Sequence, residues 1–121
     1  MSRNIGLITG AASGIGLKTV KRLLKKGWEI YGLDNDKNGL EQSSEEIDSC
    51  NFIAKPCDLR NEEAIKNIFA EIQKDHQKIN ALIACAGVLK LGTLEDMSTE
   101  DFDVIFDINV RGLWLSAREA L

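Results

Sequence analysis

Proline, histidine and tyrosine occur once each in these 121 residues, and aromatic side chains make up only 6% of the chain. The lone histidine, His76, has no ligand-spaced partner, so a metal site is not expected. Cysteine is limited to Cys50, Cys57 and Cys85, an odd count with no close pairing, which argues against a disulfide framework and for a reduced, cytoplasmic setting. No apolar run approaches the ~20 residues of a membrane span, and Arg3-Asn4 leads into only a short apolar stretch. Neither a membrane segment nor a signal peptide is expected. Excess charge is lacking too: 15 basic and 19 acidic residues leave a net charge of -4. That balance offers no electrostatic grip on nucleic acid or an anionic membrane. Repeats, low-complexity tracts and linkers are absent from the sequence, so residues 1–121 read as one domain. A hydrophobic share of 44% with 28% charged residues is ordinary globular composition, which excludes disordered and fibrous classes.

What is present is a regular alternation. Ile5-Gly6-Leu7-Ile8-Thr9 is a short apolar run ending in a glycine-rich cluster, which predicts a buried strand entering a turn. A helix should follow, with Ile15, Val20, Leu23 and Leu24 on one side and Lys18, Lys21, Arg22, Lys25 and Lys26 toward water. Gly27 is its natural stop. Residues 29–34 predict a second strand, residues 35–38 a polar turn, and a modest helix runs through Leu40 and Ile47. Residues 52–57 predict a third strand whose only proline sits near its end, which suits a sheet edge. Asn61 is a candidate N-cap for a helix carrying Ile65, Ile68, Phe69 and Ile72, an i, i+3, i+4, i+7 stripe. Residues 79–85 are almost unbroken apolar sequence, as in a parallel strand covered on both faces. After a loop over 86–97, Ser98 and Asp101 match a capping box opening one helix to the chain end.

Strands alternating with helices imply an α/β fold with a parallel sheet and right-handed crossovers. The expected strand order is 3-2-1-4 with helices on both faces, and a sheet ending in so hydrophobic a fourth strand would be expected to continue.

The most informative stretch is Thr9-Gly10-Ala11-Ala12-Ser13-Gly14-Ile15-Gly16. Glycines between a strand and a helix permit positive φ and let a phosphate approach the backbone. The helix start adds free N–H donors and a positive dipole end, so a pyrophosphate is the natural guest. The Gly-x-x-x-Gly-x-Gly spacing differs from the Gly-x-Gly-x-x-Gly dinucleotide fingerprint. A phosphate loop of the nucleotide-hydrolase type would need Lys-Ser/Thr directly after its last glycine, and here Leu17 intervenes before Lys18-Thr19. Taken alone, the glycines could simply make a tight turn with close helix–strand packing.

Asp34 narrows the choice. It ends the second strand roughly twenty positions beyond Gly14, where a carboxylate can accept both hydroxyls of an adenosine ribose. A 2′-phosphate would be repelled there, and neither Ser13 nor Asn35 supplies a positive charge. NAD is therefore expected in preference to NADP.

With these residues in order, the sequence resembles the short-chain dehydrogenase/reductase family. The glycine motif of residues 9–16, Asp34, Asp58-Leu59 after strand three, Ala86-Gly87 after strand four and Asn109 in the last helix carry the resemblance across the whole chain. It implies a Rossmann-type, NAD(P)-binding domain, a nicotinamide cofactor and hydride transfer between an alcohol and a carbonyl. It further implies cofactor contacts from Gly10, Ser13, Gly14, Ile15 and Gly16, from Asp34 and Asn35, from Asp58 and Leu59, and from Cys85, Ala86 and Gly87. Asp58 would meet the adenine amino group with Leu59 beside the ring; otherwise Asp58 could cap the next helix, a role Asn61 could fill instead. Asn109 would join a proton relay beside a catalytic tyrosine and lysine, or else be a satisfied core amide.

Two departures from the family stand out. Its Asn-Asn-Ala-Gly reads Ala84-Cys85-Ala86-Gly87 here, and a thiol cannot reproduce an amide's donor–acceptor pairing. Cys85 is expected to be a small buried residue with no activating base. The family's catalytic serine and Tyr-x-x-x-Lys pair are not found in these residues; Tyr31, expected beside the adenosine pocket, has no lysine four positions on. The expectation is therefore a cofactor-binding half, inactive by itself. The last helix is apolar nearly all round, with Phe102, Ile105, Phe106 and Leu113 on one face, which predicts burial against further layers. The resemblance implies that one of these is a neighbouring subunit, making a homo-oligomer through this helix. The alternatives are a non-catalytic NAD-binding or dimerisation module and, last, a nucleotide hydrolase.

Overall fold

All five residues of β1 (Ile5–Thr9) are buried, because the strand is flanked on both edges and covered on both faces. The computed structural model describes residues 3–76 and 78–121. β1 pairs in parallel with β2 (Glu29–Asp34), and on its other edge with β4 (Ala81–Ala84). β2 in turn pairs with β3 (Phe52–Pro56), giving the order β3-β2-β1-β4. This is the expected parallel arrangement. β3 stops one residue short of the expected end, at a proline that has no N–H to offer the ladder. The Cys57 N–H continues the line by donating to the Asp34 carbonyl at 2.9 Å.

β4 departs more from expectation. It covers four residues rather than 79–85; ahead of it, Asn80 pairs with Ile5 through both its backbone N–H (2.8 Å) and its side-chain oxygen (2.7 Å). Its residues are half-buried or exposed, since β4 is an edge here with no strand beyond it among the described residues.

Strand alternation divides the core in two. On one face Ile8, Ile30 and Phe52 pack with Val20 of α1 (Gly14–Lys25) and Leu40 of α2 (Lys37–Ile47). On the other, Leu7, Tyr31 and Leu33 pack with Ile65, Ile68, Phe69 and Ile72 of α3 (Glu62–Asp75). Burying each such side chain contributes roughly 1.5–3 kcal/mol. The predicted α3 stripe is buried in full, and Asn61 caps the helix by accepting from the Ala64 N–H at 3.1 Å. α2 begins inside the expected 35–38 turn because Asp36 caps it, accepting from the Gly39 N–H at 3.0 Å. Gly27 closes the α1 exit with φ 86°. Ile15 is 77% exposed rather than on the apolar side. The sheet-facing stripe of α1 is set by Gly16 and Val20, one turn apart, and Ile15 lies to the side of that stripe.

The last helix is not regular. α4 (Thr99–Phe106), opened by Ser98 accepting from the Asp101 N–H at 3.1 Å, gives way to a π-helical segment at Asp107–Gly112. α5 (Leu113–Ala120) then completes it. Its expected burial is confined to one stripe: Gly112, Leu115 and Ser116 are buried, while Phe102, Phe106, Val110, Leu113 and Trp114 are about half exposed. Leu115 anchors this helix in the core, and at the surface Glu62 at the start of α3 meets Arg111 (3.4 Å) and Arg118 (3.6 Å).

Candidate functional site

The C-terminal ends of four parallel strands and the loops that follow them enclose a cavity of about 360 Å³. Every residue that the sequence singled out for cofactor contact lines it: Gly10, Ser13, Gly14, Ile15 and Gly16 from the first loop, Asp34 and Asn35, Asp58 and Leu59, and Cys85, Ala86 and Gly87. Leu33, Cys57, Val88 and Ile108 complete the lining without having been singled out. Open α/β sheets bind ligands at this end, where the strand order reverses, and here the reversal lies between β1 and β4.

The glycine turn is shaped by close backbone approach. Gly10 has φ 72°, and a Cβ there would stand 2.8 Å from the Ala86 nitrogen, so the first and fourth loops touch. A Cβ on Gly16 would run into the Gly10 carbonyl. Gly14, at φ 57°, faces open space where an added Cβ would meet nothing within 4 Å. α2, α3 and α4 each begin with a side-chain cap, but the Ser13 side chain makes none for α1. The first-turn amides of Gly14, Ile15 and Gly16 therefore have no partner among the described residues, and they open on the cavity. Free amides at the positive end of a helix dipole fit a diphosphate.

Beside the same turn, the Asp34 carboxylate is fixed by two backbone donors: the Ala12 N–H reaches Oδ2 at 3.0 Å and the Asp36 N–H reaches Oδ1 at 2.9 Å. Asp58 is clasped by Arg60, whose backbone N–H and Nε donate to Oδ1 and whose Nη2 donates to Oδ2 at 2.8 Å. That guanidinium holds the Asp58 carboxyl below its ordinary value, and Asp58 in turn raises that of Arg60. Asn61 rather than Asp58 caps α3, which leaves Asp58 to the cavity wall. Beside it, burial first and the Asp58 charge second push the Cys57 thiol up to about 11. Cys85 is only half-buried, contrary to expectation, because β4 ends before it and the residue turns into the cavity wall. The Ala86 N–H donates to Thr9 Oγ1 at 3.3 Å.

Asn109 does not line the cavity. It sits in the π segment with both amide atoms engaged: Oδ1 accepts from the Val88 N–H at 2.8 Å, and Nδ2 donates to the Val88 carbonyl at 2.9 Å. Tyr31 is likewise absent from the lining, where the sequence had placed it beside the adenosine pocket. Its hydroxyl lies 3.1 Å from His76 Nε2, at the opposite end of the sheet, because position 31 falls early in β2 and faces α3. His76, which has no partner by sequence spacing, also meets Glu29 at 3.4 Å. Sequence spacing does not single out Arg60 or Arg111; the two-residue step from Asp58 is the only local signal for Arg60, and Arg111 has none.

A parallel sheet with this order, helices on both faces and a glycine turn over the switch point is a Rossmann-type, NAD(P)-binding fold. The chain belongs to the short chain dehydrogenase family, whose model matches residues 4–121. Over 120 residues it is 32% identical to dehydrogenase/reductase SDR family member 11 of Homo sapiens, an alignment covering 96% of this chain and 46% of that protein. It superposes with a TM-score of 0.88 on the 3-ketoacyl-(acyl-carrier-protein) reductase of Brucella melitensis complexed with NADH, at 32% identity, covering 96% of this chain and 48% of that one. An actinorhodin polyketide ketoreductase with NADPH shares the fold at a TM-score of 0.91 and 24% identity, covering 98% of this chain and 46% of that one. The chain thus spans about half the length of the relatives it matches.

Proposed function

We propose that these residues form the cofactor half of an oxidoreductase that moves hydride between NAD(H) and an alcohol–carbonyl pair. The uncapped start of α1, open to a cavity that the Asp34 carboxylate also lines, is the observation behind this reading. The nicotinamide ring supplies the hydride chemistry when bound. The α1 amides hold the diphosphate, Asp34 takes the ribose hydroxyls, Asp58 and Leu59 face the adenine, and the backbone of Ala86 and Gly87 borders the second ribose. Asp34, with no cation bonded to it among the described residues, favours hydroxyls over a 2′-phosphate, and so NAD over NADP.

Reducing a carbonyl requires a proton donor placed at its oxygen. Tyr31, the chain's only tyrosine, bonds His76 far from the cavity and is unsuited to that role. By this reading the 121 residues alone bind dinucleotide without turnover, and Asn109 serves the relay by fixing the loop at Val88. The half-exposed apolar side chains of the last helix support self-association through it. Three free cysteines support a reducing, cytoplasmic setting, and among the described residues no helix is long and apolar enough to cross a membrane. Calorimetric titration with NADH and NADPH tests the assignment. NADH should bind at least about tenfold more tightly, a difference of ~1.4 kcal/mol. Equal affinities would remove the NAD preference, and no heat with either would remove the reading.

A further inference from the structure

β3 and β4 lie at opposite edges of the sheet, so the loops that follow them are separated by three strand spacings, roughly 14 Å. No sheet hydrogen bond joins those two edges, yet the π segment touches both loops. From it, Asn109 grips the backbone of Val88 on the β4 side. Three residues on, Gly112 presses on the β3 side so closely that a Cβ would stand 2.9 Å from Leu59 Cβ and 3.1 Å from the Leu59 carbonyl oxygen. Between them Arg111 donates from Nη1 to the Arg60 carbonyl at 3.2 Å and sets Nη2 3.4 Å from Glu62. Arg60 is the residue that clasps Asp58 on the cavity wall. The interruption of regular α geometry falls on the residues that make these contacts, and such π turns are frequent at functional sites.

We infer that the π segment mechanically couples the adenine side of the cavity to the nicotinamide side, with Arg111 as its positioning residue. The inference rests on the dinucleotide orientation given under Proposed function. Occupation of the Asp58–Leu59 wall steadies the Arg60 backbone, Arg111 and Gly112 pass that restraint to the helix, and Asn109 delivers it to Val88. A ligand that ends at the adenosine therefore orders a loop it does not touch, a coupling carried by restricted motion.

The Val88 N–H reports on this directly, because its partner is Asn109. Amide exchange is followed in the full chain with AMP, whose base meets the Asp58–Leu59 wall and whose phosphate ends at the α1 amides, short of Val88, and affinity for AMP is measured in parallel. AMP should slow Val88 exchange severalfold in the wild-type protein. In Arg111→Ala it should still bind but leave Val88 exchange unchanged. Arg118→Ala serves as the control, since Arg118 also meets Glu62 but among the described residues bonds to neither loop; it should keep the wild-type response. Wild-type AMP binding with no change at Val88, or the same response in Arg111→Ala, overturns the coupling. Loss of the response in both arginine variants overturns it as well, since general helix packing would then carry the effect. Failure of both AMP and NADH to bind the wild-type protein overturns the cofactor reading itself, and the coupling with it.

Discussion

Gly16 packs its Cα against the carbonyl of Gly10, leaving no room between them for a methyl group. Both partners are backbone, so neither can swing aside. Gly16→Ala should force α1 away from β1, lowering stability by about 1–3 kcal/mol and abolishing dinucleotide binding. Gly14→Ala makes the contrast. Its Cβ has open space, but φ 57° strains an L-residue by roughly 1–2 kcal/mol, and the methyl would enter the space that the proposed function gives to the diphosphate. Denaturant titration of both variants, paired with NADH binding, should show the larger stability loss at Gly16 and impaired binding in both.

Asp34→Ala removes the acceptor assigned to the ribose hydroxyls. Hydrogen bonds to a charged group contribute roughly 1.5–3 kcal/mol, so NADH affinity should fall by one to two orders of magnitude. NADPH affinity should hold or improve, because the carboxylate that repels a 2′-phosphate is gone. Fluorescence titration with both nucleotides checks this, and equal losses would place the ribose elsewhere. A small drop in stability is also expected, since the Ala12 and Asp36 amides lose their acceptor.

Cys57 links the cavity to alkaline stability. Its thiol is pushed from 9.0 to about 11 by burial, then by the Asp58 charge. Between those values the unfolded chain loses its thiol proton while the folded chain keeps it. The folded state then binds more protons, and stability falls as pH rises through that window. Cys57→Ala should flatten this part of the stability–pH curve. At pH 8 the exposed Cys50 should react with a thiol reagent well before Cys57 does.

Tyr31→Phe tests whether the only tyrosine has any part in cofactor chemistry. Its hydroxyl bonds His76, with Glu29 near the same ring nitrogen, and none of the three lines the cavity. Thermal unfolding should show a loss of about 1 kcal/mol, the net value of one hydrogen bond. NADH affinity should be unchanged; a drop would move Tyr31 back toward the site.

The strand order, the helix caps at Asn61 and Ser98, the glycine turn and Asp34 are legible from short-range rules, while Asp58, Leu59, Cys85, Ala86 and Gly87 follow from the family resemblance. An apolar run defines β1, the glycine spacing defines the first turn, and parallel topology then brings the ends of four strands to one place. Ile15 departs from the sequence pattern because it shares its helix with apolar neighbours yet lies off the stripe that Gly16 and Val20 turn to the sheet. The sequence pattern also could not show the widened turn at Asp107–Gly112, since a π segment uses the same residues as an α-helix and the contacts that accompany it here, to Val88, Leu59 and Arg60, are far away in the chain. Partner choice among polar side chains was likewise left to tertiary structure: Arg60 on Asp58, Arg111 on the Arg60 carbonyl, Tyr31 on His76. Periodicity and turn chemistry are written into neighbouring residues and survive in any window of sequence. Which distant donor meets which acceptor depends on the packed distances between elements, and those exist only once the chain has folded.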